Sequence, residues 1–133
     1  MAQSRMRSSL RSPLGRAIGL GSAKEGVEHW WWQRISSIAL VPLALWFVIA
    51  VIGLAGADLE VLVDWLQDPV PAVLFILLLV AAFYHGALGL QVVIEDYVGN
   101  ETLRFGLLIV MKLAAFVLAA LGIFAVLKLS FAG

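Results

Sequence analysis

His85, Gly89, Val92 and Asp96 follow one another at intervals of four, three and four residues. At about 100° per residue, the last three return to within about 40°, 20° and 20° of the direction of His85. One stripe of a helix would therefore carry all four. An imidazole on such a stripe can ligate the iron of a haem, or it can hydrogen-bond a neighbouring helix, and spacing leaves both open. Gly89, with Gly86 near it, would let a planar macrocycle approach the backbone, and would equally let a second helix pack closely. Tyr97 stands beside Asp96. A phenol next to a carboxylate can donate to a carbonyl oxygen, as the reduction of a quinone requires, and can relay protons; the plainer reading is an interfacial Tyr and a solvated charge. Arg34 could grip a carboxylate such as a haem propionate with its forked guanidinium, or simply anchor the chain at a membrane surface.

The elements that must position these groups are membrane helices. The 133 residues are 62% hydrophobic and 14% charged, with a mean hydropathy of +1.00. Soluble domains carry about 25% charged residues, so the excess calls for a bilayer. Three apolar runs, Ile35 to Leu54, Val70 to Ile94 and Phe105 to Leu127, are each near the roughly 20 residues needed to cross about 30 Å of hydrocarbon. His85 and Gln91 interrupt the second, and Lys112 the third. His85 falls roughly 15 Å inside its run, where an ionisable side chain costs a few kcal/mol and is a functional hypothesis by default. His29 is too shallow to share its metal, and Met111, a possible thioether ligand, should sit several ångströms shallower, so a bis-histidine haem would need a second protein.

Nine Lys and Arg balance nine Asp and Glu, which gives no clustered base for nucleic acid. The absence of Cys excludes a disulfide framework, a thiolate zinc site, a Cys nucleophile and an iron-sulfur cluster held by this chain. Arg5, Arg7, Arg11, Arg16, Lys24 and Arg34 precede the first run, whereas the segment from Ala55 to Pro69 carries Asp58, Glu60, Asp64 and Asp68 and no base. The positive-inside rule then predicts a cytoplasmic N-terminus, up-down-up topology and a periplasmic C-terminus, with Lys112 snorkelling inward. Trp30, Trp31, Trp32 and Trp65 suit the interfacial belt. The predicted organisation is all-α: residues 1–33 as a cytoplasmic arm and Trp-rich interfacial segment, 34–128 as three transmembrane helices, 129–133 as a short tail. The Arg- and Ser-rich arm, free of acid before Glu25, also has the composition of a mitochondrial transit peptide; its shortness favours a bacterial inner membrane over a mitochondrial one.

Two strings, GVEHWWWQRISSIAL (Gly26 to Leu40) and HGALGLQVVIEDYV (His85 to Val98), resemble the hydrophobic membrane-anchor subunit of succinate dehydrogenase, respiratory complex II. In that family a haem-ligating His is followed after eleven residues by an Asp-Tyr pair, and an Arg marks the entry to the first span. The resemblance covers about residues 20 to 128. The Trp triplet is a departure from some members. The resemblance implies half of a haem-binding anchor bundle. His85 would be one axial ligand to haem b, the other coming from a sister cytochrome-b subunit. Tyr97 would hydrogen-bond ubiquinone with Asp96 beside it, and Arg34 would lie near a haem propionate, with Gly89 in the packing around the haem. FAD and the iron-sulfur clusters would lie on flavoprotein and iron-sulfur subunits, and this chain alone would have no catalytic residue. The implied activity is succinate:ubiquinone oxidoreduction in the tricarboxylic acid cycle and aerobic electron transport. The alternatives are the anchor of a fumarate reductase and a non-redox scaffold or transporter accessory subunit.

Overall fold

A computed structural model describes residues 22–132, with side chains from residue 26 onward. The basic arm before Ser22, with Arg5, Arg7, Arg11 and Arg16, lies outside the described residues. The described residues form four helices in the order α1 Ser22–Gly53, α2 Leu59–Gln67, α3 Pro69–Tyr97 and α4 Glu101–Ser130, without a strand among them. Three of these, over Gly26–Gly53, Pro69–Tyr97 and Glu101–Ser130, are long and apolar enough to cross a membrane. The all-α, three-span expectation is met.

The chain divides into two units, Met1–Trp32 and Gln33–Gly133. In the first unit, Trp30 and Trp31 meet edge to face at 5.6 Å, and the Nε2 of His29 is buried with no hydrogen-bond partner.

Local chemistry sets the helix boundaries. α1 ends at Gly53, and the chain turns through Gly56 at φ +81°, a left-handed conformation that glycine adopts without a Cβ penalty. Pro69 opens α3, where its missing N–H is no loss, and the Asp68 carboxylate accepts from the Val70 N–H at 2.9 Å. Asn100 caps α4 in the same way, accepting from the Leu103 N–H at 3.1 Å. Glu101 in the first turn and Lys128 in the last suit the two ends of the α4 dipole. Only Val98, Gly99 and Asn100 separate α3 from α4, which forces the two helices to run antiparallel as a hairpin.

The segment expected as an acidic loop, Ala55 to Pro69, instead contains α2. Its sequence, LEVLVDWLQ, sets Glu60 and Asp64 four residues apart on one edge and Leu62, Trp65 and Leu66 on another. That is the amphipathic pattern of a helix lying on an interface. Leu66 is buried and, with Ala72 of α3 and Val126 of α4, forms the core, against which Leu62, Trp65, Phe75, Ile76, Leu79 and Leu129 pack. An aromatic cluster extends it to α1: Trp65 stacks on Trp46 at 5.8 Å and 15°, and Phe75 meets Trp46 and Phe47 edge to face at 6.3 and 5.6 Å. Trp65 is thus a packing residue between helices as well as an interfacial one. Gln67 donates to the Ala132 carbonyl at 2.6 Å and ties α2 to the end of the chain.

Nearer the open end of the hairpin than its turn, α3 and α4 approach at Gly122. A Cβ there would lie 3.1 Å from Leu79 Cδ1 and 3.3 Å from Cδ2, inside ordinary contact distance. Gly122→Leu is therefore expected to wedge the hairpin open at a cost of about 1–3 kcal/mol. A lower thermal midpoint of the detergent-solubilised protein would register it, and an unchanged midpoint would contradict the close approach.

Candidate functional site

The centre of the second unit is a polar contact between α1 and α3. Ser36 Oγ lies 3.0 Å from His85 Nδ1 and 3.0 Å from the carbonyl of Gln33, one turn earlier in α1. Ser36, 7% exposed, is the buried polar residue among the described side chains. His85 is half-buried, and nothing among the described residues bonds its Nε2. Beside this contact, a Cβ on Gly89 would come no nearer than 3.9 Å to Gln33 Nε2, which is ordinary van der Waals contact. The Gln33 amide oxygen is buried with no hydrogen-bond partner. His85 and Gly89 therefore turn toward α1, whereas Val92 and Asp96, further along the same stripe, are exposed. A Cβ on Gly86 would meet nothing within 4 Å, so this glycine leaves an open strip on α3.

The contact also fixes the register of two spans. At 1.5 Å per residue, Gly53 stands about 25 Å beyond Ser36 along α1 and Pro69 about 24 Å beyond His85 along α3. The two helices therefore reach the Trp46–Trp65 end together. Arg34 is only about 3 Å from Ser36 along the α1 axis, and leaves the helix about 200° around from it. The structure thus brings Arg34 to nearly the same level as His85, although the sequence assigned them different depths. The Ser37 hydroxyl donates to the Arg34 carbonyl at 2.7 Å.

Asp96 and Tyr97 close α3 about 18 Å along the axis from His85. Both are exposed, Tyr97 at 85%. Because α3 has 29 residues, about 43 Å of helix, it is longer than the roughly 30 Å of hydrocarbon, which leaves helix to stand in the headgroup layer unless the span tilts. A phenol there can meet the head of a lipid-soluble molecule whose tail stays in the bilayer. The structure does not gather the predicted residues into one pocket. It sets out two levels, His85 and Gly89 of α3 with Arg34 of α1 at one, and Asp96 and Tyr97 at the end of α3 at the other.

Other polar groups in the spans are accounted for separately. The Gln91 amide donates to Glu95 Oε1 at 2.9 Å. Gln91, Tyr84, Lys112 and Phe116 line an open groove of about 910 Å³ between α3 and α4. No three His, Cys, Asp or Glu side chains gather as a metal cluster among the described residues.

Sequence reasoning missed Ser36. Its signal was a hydroxyl inside an apolar run, but Ser in a helix can satisfy itself on the carbonyl three or four residues back, so it did not stand out. The facing residue, His85, is what makes it informative.

Residues 8–121 match the succinate dehydrogenase/fumarate reductase transmembrane subunit family. The chain belongs to this family. A succinate dehydrogenase hydrophobic membrane anchor subunit of Rickettsia bellii is 36% identical over 103 residues, 77% of this chain and 82% of the relative. That of Rickettsia conorii is 33% identical over 104 residues, again 77% and 82%. The Paracoccus denitrificans subunit of the same name is 30% identical over 125 residues, 89% of this chain and 97% of the relative. The family match takes in α1, α2, α3 and most of α4, so both levels of the site fall within it.

Proposed function

We propose that this chain is a membrane-anchor subunit of a succinate:ubiquinone oxidoreductase, in a bacterial inner membrane with its N-terminus cytoplasmic and its C-terminus periplasmic. Its partners are then a cytochrome-b anchor subunit, an iron-sulfur subunit and a flavoprotein subunit, the last two carrying the clusters and FAD. Membership of the family, whose relatives are named for succinate dehydrogenase, carries the reading. The family takes in fumarate reductases as well, so it is the relatives' names that favour succinate oxidation as the working direction, and a non-redox scaffold is left without support.

The residues fit haem b. His85 presents an unpartnered Nε2 on a half-buried ring, the position a ligating imidazole needs, and Gly86 leaves the neighbouring helix surface open. The cytochrome-b subunit would supply the other residue that holds the haem. Arg34, close in level to His85, is the candidate for a propionate, through a charge-assisted hydrogen bond. When bound, haem b supplies a one-electron centre within the membrane. The remaining work of this chain is done at the mouth of α3. Reduction of ubiquinone to ubiquinol consumes two electrons and two protons. Tyr97 holds a quinone carbonyl by donating its phenol proton as a hydrogen bond, and Asp96 beside it receives protons from the aqueous side and passes them on. The isoprenoid tail needs no polar site, since the apolar helix faces and the bilayer serve it.

The test is purification of the tagged chain from native membranes in mild detergent. Three co-purifying subunits, succinate:quinone reductase activity and a b-type band in the dithionite-reduced minus oxidised spectrum are expected. A complex that lacks a succinate-oxidising flavoprotein would overturn the proposal.

A further inference from the structure

We infer that Ser36 is the positioning residue that holds His85 as the Nδ1–H tautomer and so turns the Nε2 lone pair away from α1, toward a metal. The inference rests on the haem reading of His85 and extends it to a residue on a different helix. It follows from counting protons. A serine hydroxyl has one proton to donate. The Gln33 carbonyl, 3.0 Å from Ser36 Oγ, can only accept, so that proton is committed to it. The 3.0 Å contact with His85 Nδ1 must then run the other way, with the ring nitrogen donating to the hydroxyl oxygen. A neutral imidazole protonated at Nδ1 carries its lone pair on Nε2, the atom that has no partner among the described residues. Ligating histidines are commonly held through their other ring N–H in this way, which fixes both tautomer and ring orientation.

Burial makes the arrangement rigid. Ser36 is 7% exposed, so water cannot readily replace either bond. The adjacent Ser37 bonds back to the Arg34 carbonyl at 2.7 Å in the same manner but has no side-chain partner on α3, so it serves as an internal control.

The experiment compares Ser36→Ala, Ser36→Thr, Ser37→Ala and His85→Ala in the assembled complex. The readouts are haem retention during gel filtration, the low-field EPR signal of the ferric haem and the haem midpoint potential. Ser36→Ala should weaken haem retention about tenfold and shift both the EPR signal and the potential, because the ring loses its orienting acceptor. Ser36→Thr should restore the parent values, and Ser37→Ala should not depart from them. Parent values for all three readouts in Ser36→Ala would overturn the inference. Should the alanine chain not assemble, Ser36→Cys keeps the size with a weaker acceptor: faster haem loss supports the inference, and parent-like behaviour overturns it. Haem retained in His85→Ala would instead bring down the ligand reading itself. Haem lost there while Ser36→Ala is parent-like would bring down this inference alone.

Discussion

Replacing His85 by alanine is expected to strip the b-type haem from an otherwise assembled complex, with haem per complex falling at least about tenfold. The expectation depends on the fold surviving, and the local bonding indicates that it does. Ser36 keeps its proton on the Gln33 carbonyl, so the substitution orphans an acceptor lone pair of a hydroxyl that is still bonded. That is a cost of about 1 kcal/mol, well below that of a buried donor left with no partner. The packing that joins the helices lies elsewhere, in the cluster of Leu66, Ala72 and Val126 and the rings of Trp46, Trp65 and Phe75. The spans themselves are apolar with or without the imidazole. The measurement is the reduced-minus-oxidised spectrum normalised to the flavoprotein subunit in the same preparation. An undiminished haem band would remove His85 as a ligand; loss of the partner subunits along with the band would mean that His85 acts in assembly.

The sequence and the structure agree most where hydrocarbon thickness is the controlling quantity. Three apolar runs became three helices because a bilayer leaves few other ways to satisfy the backbone. The ends differ for the same reason. An apolar run marks where a helix is in lipid, whereas hydrogen bonding carries the helix on into the interface: α1 begins at Ser22 rather than near Ile35, and α4 at Glu101 rather than Phe105. With nine residues, α2 is too short to stand out as a span of about 20, although the spacing of Glu60 and Asp64 against Leu62, Trp65 and Leu66 is that of an amphipathic helix.

Which faces meet was less legible. In a soluble helix the apolar stripe identifies the packed face, but in these spans lipid, sister helix and partner subunit are all met by apolar side chains. Ile38, Val41, Leu45 and Ile49 are as hydrophobic as Leu66, yet they are exposed in the isolated chain. Spacing puts His85, Gly89, Val92 and Asp96 on one stripe, but periodicity could not reveal that its His85 end turns to α1 and its Asp96 end to the surroundings. Nor could it pair Ser36 with His85, 49 residues apart. That pairing moves Arg34 to nearly the level of His85. Side-chain reach, rather than membrane depth, then decides whether the guanidinium meets a propionate.

Tyr97→Phe tests the other level of the site. The phenol is 85% exposed at the last residue of α3, so its hydroxyl supports no internal contact that the structure would lose. The ring remains, and with it any interfacial anchoring. In the proposed role of Tyr97, what disappears is one donor to a quinone oxygen whose negative charge grows during reduction. A hydrogen bond to such an oxygen is worth about 1.5–3 kcal/mol, or roughly a ten- to hundredfold change in rate. Quinone reductase turnover is expected to fall by that factor. Haem content should be unaffected, since His85 lies about 18 Å away along the helix. Succinate oxidation with a dye that takes electrons before the quinone should also be unaffected, because the proposed flavin and clusters would lie on other subunits. The ratio of the two activities is therefore the informative quantity. A parallel fall in both would point to defective assembly, and both activities at the parent level would place the quinone away from Tyr97, leaving Asp96 and the α3–α4 turn without their proposed role.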